Sequence, residues 1–375
     1  MNTITRRTIF DDYIDYQERF EKKYGSNTIV LMEVGSFFEI YGVETSVETV
    51  GKVSEIATLL NIHKTRKNKK ILENSRKNPL MAGFPNHALK KFIRVLIKNN
   101  YTVILIEQIT PAPNPDRDIT KIYSPTTYID ETYSPDNNYL MCIYLEALQS
   151  HKSSKNILCV GISTIDLSTG ENMIYETKCE TTMDADHKIV FEEVFRFLQI
   201  YDPRELILFT RNIENSNITE QQLKLYLELD NRIYYYNDSP DSQYYSKQYQ
   251  IEFLKKVFPK TGLLSVIEYL DLERSYCGII SYLQLLQFAY EHDERILQKI
   301  QKPKLWEHNK HLILANDCIH QLDVVPNKHS RKNKINSLLD VIDYTSTPMG
   351  KRLLKQRILN PILSPEELTI RYEII

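Results

Sequence analysis

Phe37 and Glu39 are the two residues of this 375-residue chain whose types and spacing point most directly to chemistry. They follow the apolar run Leu31-Met32-Glu33-Val34 and the break Gly35-Ser36, with a second aromatic, Phe38, between them. Gly35 and Ser36 free the next side chain from the strand, so the ring can act as a wedge. Inserted at a base step, it unstacks that step at a cost of a few kcal/mol and kinks the duplex by roughly 20–90°. A mispaired step is already poorly stacked and opens most easily, so selectivity arises from deformability. The carboxylate beside the ring could hydrogen-bond a displaced base edge, and its repulsion of regular duplex backbone would disfavour paired DNA. Considered singly, a phenylalanine beside a strand is ordinarily core and a glutamate ordinarily a solvated acid. Only their combination suggests a reader of base pairs.

Two further groups lie downstream. Met81-Ala82-Gly83 precedes Phe84-Pro85-Asn86-His87-Ala88. Gly83 permits close backbone approach, and Met81 fits core filling as well as DNA contact. Between the two motifs stand Lys64, Arg66, Lys67, Lys69, Lys70, Arg76 and Lys77, with Glu73 as the one acid among them. Such a cluster would neutralise phosphates and add salt-dependent affinity without sequence preference. For the individual lysines a solvated loop is an equal alternative. Patterning matters here because the net charge is −2 and the pI about 6.5, which excludes global polycationic attraction to nucleic acid.

These residues need a scaffold, and 375 residues exceed one ordinary core, so two or three units are expected. A polar helix near Asp11–Lys23 precedes the strand Thr28–Glu33, whose unbroken apolar core suggests burial on both faces. After Pro85, the residues Leu89, Phe92, Ile93 and Leu96 form one stripe of a helix that stops at Asn99-Asn100, and Tyr101–Ile106 reads as another buried strand. Strand, helix, strand at this spacing argues for an α/β sheet ending near Pro125. Pro111, Pro113, Pro115 and Pro125 break the pattern, and the polar stretch to Asn138 reads as a linker. Strands Tyr139–Leu148, Ile157–Leu167 and Asn172–Glu176, a helix over Asp186–Tyr201 and a strand Glu205–Phe209 follow. From about Ile251 the pattern turns helical. Leu263–Ile300 reads as one or two helices, and Ser364-Pro365-Glu366-Glu367 as a capping box with proline at N1.

The ordered series of motifs resembles the mismatch-reading domain of the MutS family of DNA mismatch-repair proteins. That family's pattern runs apolar, Gly, any, Phe, aromatic, Glu, then Met-Ala-Gly, a Pro-x-His-Ala helix start and a buried strand ending in Glu-Gln, here Val103–Gln108. Ile165-Asp166-Leu167-Ser168-Thr169-Gly170, followed by Asp202-Pro203-Arg204-Glu205-Leu206-Ile207, is similar to the family's connector domain. Thr347-Pro348-Met349-Gly350-Lys351-Arg352-Leu353-Leu354 resembles its core-domain signature, in which a helix begins at Thr-Pro. The resemblance implies a multidomain α/β plus all-α chain. It would comprise a mixed-sheet mismatch domain over 1–125, a ribonuclease-H-like connector over 126–250, and the start of a helical core over 251–375. By the same resemblance Gly35, Phe37, Glu39, Met81 and Gly83 would meet DNA, with the Met-Ala-Gly loop beside the wedge in the minor groove. Family members continue into a lever, a clamp and an ATPase, so the chain resembles an N-terminal portion. ATP and Mg are implied for the full-length protein. So are a homo- or heterodimer formed beyond residue 375, DNA with mismatches or small loops as ligand, and a MutL-like factor as downstream partner.

The remaining signals are negative. No two of the ten glycines stand closer than Gly35 and Gly42, so the chain has neither G-x-G-x-x-G nor G-x-x-x-x-G-K-[ST] and no nucleotide loop of its own. Cys142, Cys159, Cys179, Cys277 and Cys318 are odd in number and scattered, which reads as reduced thiols without a disulfide framework or metal site. Asn2-Thr3-Ile4-Thr5-Arg6-Arg7 lacks the apolar core of a leader, and no stretch approaches the ~20 apolar residues of a membrane span, so a soluble intracellular protein is expected. Two other functions compete. A MutS-like protein for branched or recombination DNA would typically lack the Phe-x-Glu pair present here. A metal-dependent nuclease could use Asp166, but two-metal hydrolysis needs convergent acids and only Glu171 and Glu205 stand on neighbouring strands, so a turn-forming Asp166 is the better reading. His308 and His311 read as surface residues.

Overall fold

The computed structural model describes residues 8–111, 115–128, 138–149, 156–181, 188–216, 218–238, 240–307, 310–312, 314, 316–326 and 335–374. Contacts divide the chain into two units, one running to Tyr128 and taking in Glu291–Asp293, the other holding the rest.

The first unit is built on a seven-stranded mixed sheet. In chain order its elements are α1 (Ile9–Tyr24), β1 (Thr28–Val34), β2 (Phe37–Glu44), β3 (Thr49–Val50), α2 (Val53–Leu60), β4 (Lys64–Arg66), β5 (Leu80–Pro85), α3 (Leu89–Lys98), β6 (Thr102–Gln108) and β7 (Arg117–Tyr123). The strand order is β4-β5-β2-β1-β6-β7, with β3 added against β2, and only the β1–β6 pair is parallel. β1 and β6 form the centre, and Ile29, Val30, Leu31, Val103, Ile104 and Ile106 are buried as their unbroken apolar runs require.

α1 is held at its start by a capping box between Thr8 and Asp11. It lies on one sheet face, where Tyr13 meets Tyr41 edge to face at 5.4 Å. Its buried Gln17 does the work of a missing strand neighbour. The amide donates to Thr28 O at 2.8 Å and accepts from Val30 N at 2.9 Å, where β1 has no β2 partner. On the opposite face α3 buries Ile93, Leu96 and Ile97, and Phe92 packs against Phe84.

Two elements differ from the sequence reading. The proline-broken stretch taken as the start of a linker holds β7, an edge strand whose charged, half-exposed residues hide its alternation, as edge strands commonly do. Met81-Ala82-Gly83, expected in a loop, lies within β5. Residues 129–137 of the expected linker fall outside the described residues.

The second unit carries a six-stranded mixed sheet of order β12-β11-β8-β9-β10-β13. Its elements are β8 (Tyr139–Gln149), β9 (Asn156–Asp166), β10 (Asn172–Thr181), α4 (Lys188–Tyr201), β11 (Glu205–Arg211), α5 (Glu220–Tyr226), β12 (Ile233–Asn237), α6 (Lys247–Val257), α7 (Val266–Tyr269), α8 (Tyr276–His292), β13 (Lys304–Leu305), α9 (Asn316–Gln321), α10 (Leu338–Ile342), α11 (Pro348–Leu359) and α12 (Pro365–Glu373). β8, β9 and β10 form an antiparallel meander, and β11 returns parallel beside β8 after α4.

One face packs Met141, Ile143, Leu158 and Val160 against Val190, Val194, Phe197 and Leu198 of α4. The other receives α8, through Ser281 bonded to Ser163 Oγ at 2.8 Å and to Cys142 O at 2.9 Å. Gly161 makes this approach possible, since a Cβ there would collide with the carbonyl oxygen of Cys277. Leu263–Ile300, expected to form one or two helices, holds α7 and α8, with a positive-φ Asp271 between them. α11 begins as read, with Thr347 accepting from Gly350 N at 3.1 Å. At α12, Ser364 caps Glu367 N at 3.2 Å, but the returning carboxylate is that of Glu366, which accepts from the Ser364 hydroxyl.

Candidate nucleic-acid interface

β1 and β2 are joined by the two-residue turn Gly35-Ser36, with Val34 directly opposite Phe37. Gly35 takes φ of 63° and Ser36 does not share a positive value, the pattern of a type II′ turn with glycine at its first position. Phe37 and Glu39 are therefore on a strand rather than just off one, and alternation sets them on one face while Phe38 and Ile40 take the other. The environments of the two rings differ sharply, Phe37 being 44% exposed and Phe38 2%.

Register then assembles the rest of the face, because directly opposed residues share a side. Across β2–β5, Pro85 stands opposite Phe37, Gly83 opposite Glu39 and Met81 opposite Tyr41. The two sequence motifs thus meet side by side. Gly83 has a specific reason to lack a side chain: a Cβ there would come to 2.8 Å from Phe38 O and 3.2 Å from Glu39 Cγ. The close approach it permits lies within the sheet, and it leaves space for the Glu39 side chain. Glu39 accepts a hydrogen bond from the hydroxyl of Tyr41, two residues along the same face. Burial, followed by that bond, holds the Tyr41 phenol well above its ordinary value, so it remains a donor.

The seven cations divide. Lys64 and Arg66 lie on β4 opposite Ala82 and Leu80, on the other side of the sheet from Phe37 and Glu39. Lys64 donates to Ser54 Oγ at 2.6 Å and stands 3.8 Å from the Glu44 carboxylate. The Arg66 guanidinium donates to the carbonyls of Ile71 and Leu72. Arg76 is bound twice by Glu48, at 2.9 and 2.6 Å. Lys67, Lys69, Lys70 and Lys77 are exposed and have no ion-pair partner among the described residues.

Sequence reasoning gave Glu33, Asn86 and Gln108 no role beyond their places in the motifs and did not name Arg117, yet all four lie at the hairpin. The Glu33 carboxylate accepts from Asn86 Nδ2 at 2.7 Å and Gln108 N at 2.9 Å, and its carbonyl accepts from Gln108 Nε2 at 3.2 Å and Arg117 Nε at 2.9 Å. A polar residue ending an apolar strand was the one available signal.

In the second unit the candidate nuclease acids are separately occupied. Asp166 accepts from Ser168 N and Oγ at 2.8 and 2.5 Å, in a turn closed by Gly170 N donating to Asp166 O at 2.8 Å, which is the turn-forming role. Glu171 pairs with Lys304 at 3.3 Å, and buried Glu205 accepts from Tyr235 at 2.5 Å. Among the described residues the one trio able to hold a metal is Cys159, Glu176 and Cys277, whose ligand atoms lie within 4.8 Å of one another. The fold thus gathers two of the scattered cysteines. Contact with Cys159 and burial push the Cys277 thiol up, while Glu176, itself pushed up by burial, accepts from Gly278 N at 2.9 Å at the start of α8. Ring stacking of His311 on Trp306 at 4.8 Å accounts for that histidine, and His308 lies outside the described residues.

With the face assembled, comparison with known proteins bears directly on it. Residues 16–132 match the family model of MutS domain I, and residues 317–375 that of MutS domain III. In both stretches the chain is similar to the MutS family. It is 30% identical to a mutS homolog of Acanthamoeba polyphaga mimivirus over 99% of its own length and 34% of that protein's. It is 26% identical to a mitochondrial DNA mismatch repair protein mutS homolog of Sarcophyton glaucum, over 96% of its length and 39% of the relative's. Identity is also 26% to the DNA mismatch repair protein MutS of Caldanaerobacter subterraneus, over 98% and 37%. The chain therefore spans a little over a third of these relatives. Among the described residues no helix is long and apolar enough to cross a membrane.

Proposed function

We propose that this chain recognises mismatched DNA in DNA mismatch repair, with Phe37 as the wedge and Glu39 as the acid that reads the displaced base. The observation that carries this reading is the exposed Phe37 beside Glu39 on the face shared with Met81 and Gly83, in a chain similar to the MutS family. A base step would give the exposed ring a stacking partner. Lys67, Lys69, Lys70 and Lys77 would meet phosphates.

The connector reading over 126–250 draws on the order β10-β9-β8-β11-β12, in which an antiparallel meander is extended by parallel strands, the arrangement expected of a ribonuclease-H-like sheet. By its resemblance to the MutS family, the complete protein would be a dimeric, ATP-dependent clamp using Mg, with its nucleotide site outside this chain and a MutL-like partner.

The test is Phe37→Ala in the full-length dimer, titrated on matched and mismatched duplexes. Stacking of an aromatic on a base is worth ~1–3 kcal/mol, so the substitution should remove most of the preference for mismatched DNA while leaving the fold intact. Unchanged discrimination would overturn the proposal.

A further inference from the structure

We infer that Glu33 is a positioning residue for the wedge, fixing the β1–β2 hairpin through three neighbours without touching DNA itself; this rests on Phe37 being the wedge. A ring that must separate stacked bases pushes back on its own hairpin, and a two-residue turn at the tip of two strands has little rigidity of its own. The structure supplies that rigidity at one residue.

Glu33 lies opposite Phe38, so its side chain occupies the face away from Phe37. Both carboxylate oxygens are committed, Oε1 to Asn86 Nδ2 at 2.7 Å and Oε2 to Gln108 N at 2.9 Å. The β1–β6 ladder ends at Met32 and Ile106, and beyond it the Glu33 carbonyl is taken instead by Gln108 Nε2 and Arg117 Nε. Asn86 also donates its backbone N–H to Ser36 O at 3.0 Å, which ties the turn itself to the same residue. Glu33 thus joins the end of β6, the start of β7 and the residues preceding α3 to the strand that carries the turn. An anion four residues from a DNA wedge would ordinarily weaken binding, and here its charge is spent on internal donors, where bonds to a carboxylate are about twice as strong as neutral ones.

The geometry also dictates a rescue. In Glu33→Gln one oxygen remains, so Asn86 Nδ2 and Gln108 N–H cannot both be satisfied. Adding Asn86→Asp reverses one bond: the new glutamine amide donates to the aspartate, its oxygen accepts from Gln108 N–H, and net charge is conserved.

Full-length protein carrying Glu33→Gln, Asn86→Ala, the double exchange Glu33→Gln/Asn86→Asp, or Phe37→Ala would be titrated on matched and mismatched duplexes. Hydrogen exchange at the Ser36–Phe38 amides would be followed in the same samples. The mismatch-to-match ratio in Glu33→Gln should fall on the order of tenfold, the size of one lost hydrogen bond to a charged group. Exchange at the hairpin should accelerate, and the double exchange should restore both. Asn86→Ala reports on the same bond from its other end and should reproduce the loss if Glu33→Gln fails to fold. A ratio unaffected by Glu33→Gln and Asn86→Ala, or not restored by the double exchange, would overturn the inference while Phe37→Ala still abolished discrimination. An unchanged ratio in Phe37→Ala would instead remove the wedge reading and the inference together.

Discussion

The six-stranded sheet is covered on both faces, by α4 on one side and α8 on the other, and its polar side chains are bonded inward, Ser163 to Ser281 and Asn172 to Tyr282. On the seven-stranded sheet α1 covers one face at Tyr41, and four residues earlier on the same strand Phe37 is exposed. The same kind of sheet therefore serves two ends. Where both faces are occupied, burial and internal hydrogen bonds fix the packing. Where a helix stops short, alternating residues on one face become an available surface while their neighbours on the other hold the core.

The largest effect should come from moving one residue along β2. Phe38→Ala, at a site 2% exposed, should destabilise the protein by ~3–5 kcal/mol. Phe37→Ala should change stability by no more than about 0.5 kcal/mol. Denaturant unfolding of the two variants checks this, and similar losses would erase the distinction between the core side and the available side of β2.

Next, Gly161→Ala in the fully covered sheet would drive a methyl into the backbone of Cys277. It should cost on the order of 3 kcal/mol through overpacking and leave the mismatch-to-match ratio of the folded fraction unchanged. A shift in that ratio would mean that the second unit participates in reading the base step.

A smaller effect is expected at Glu39. If the acid acts only by general repulsion, Glu39→Gln should strengthen binding to every duplex equally. If it pairs with a displaced base and rejects undistorted backbone, affinity for matched duplex should rise much more and the ratio should collapse. We expect the collapse, and parallel gains on both duplexes would leave Phe37 as the sole reader.

The smallest change concerns the cations. Neutralising Lys67, Lys69 and Lys70 should weaken matched and mismatched binding alike and flatten the dependence of log K on log salt by up to ~0.9 per lost phosphate contact. Neutralising Arg76, whose charge already meets Glu48, should flatten it less. Equal slopes for the two variants would show that the intramolecular pair gives way to DNA.

Much of this architecture was legible from residue types alone. The apolar runs within Thr28–Glu33 and Tyr101–Ile106 read as buried strands, and Ser364 before Pro365 as a helix cap, because strand burial and helix capping are decided within a few residues of chain. The ordered motifs from Gly35 to Gln108 likewise pointed to the family through residue types and spacing alone. Other features were invisible for a physical reason. β7 carries too many charges to reveal its alternation, and Gln17 could not be read as a substitute strand neighbour in a helix of polar appearance.

What the sequence determined by itself is a period: residues 37 and 39 on one side of a strand, 38 and 40 on the other. Only the tertiary structure decided which side a helix would cover. It also set Gly83 opposite Glu39, turned Lys64 and Arg66 away from Phe37, and brought Asn86, Gln108 and Arg117 to Glu33. Those pairings join residues far apart in the chain, and strand register and helix docking, which create them, are properties of the assembled sheet.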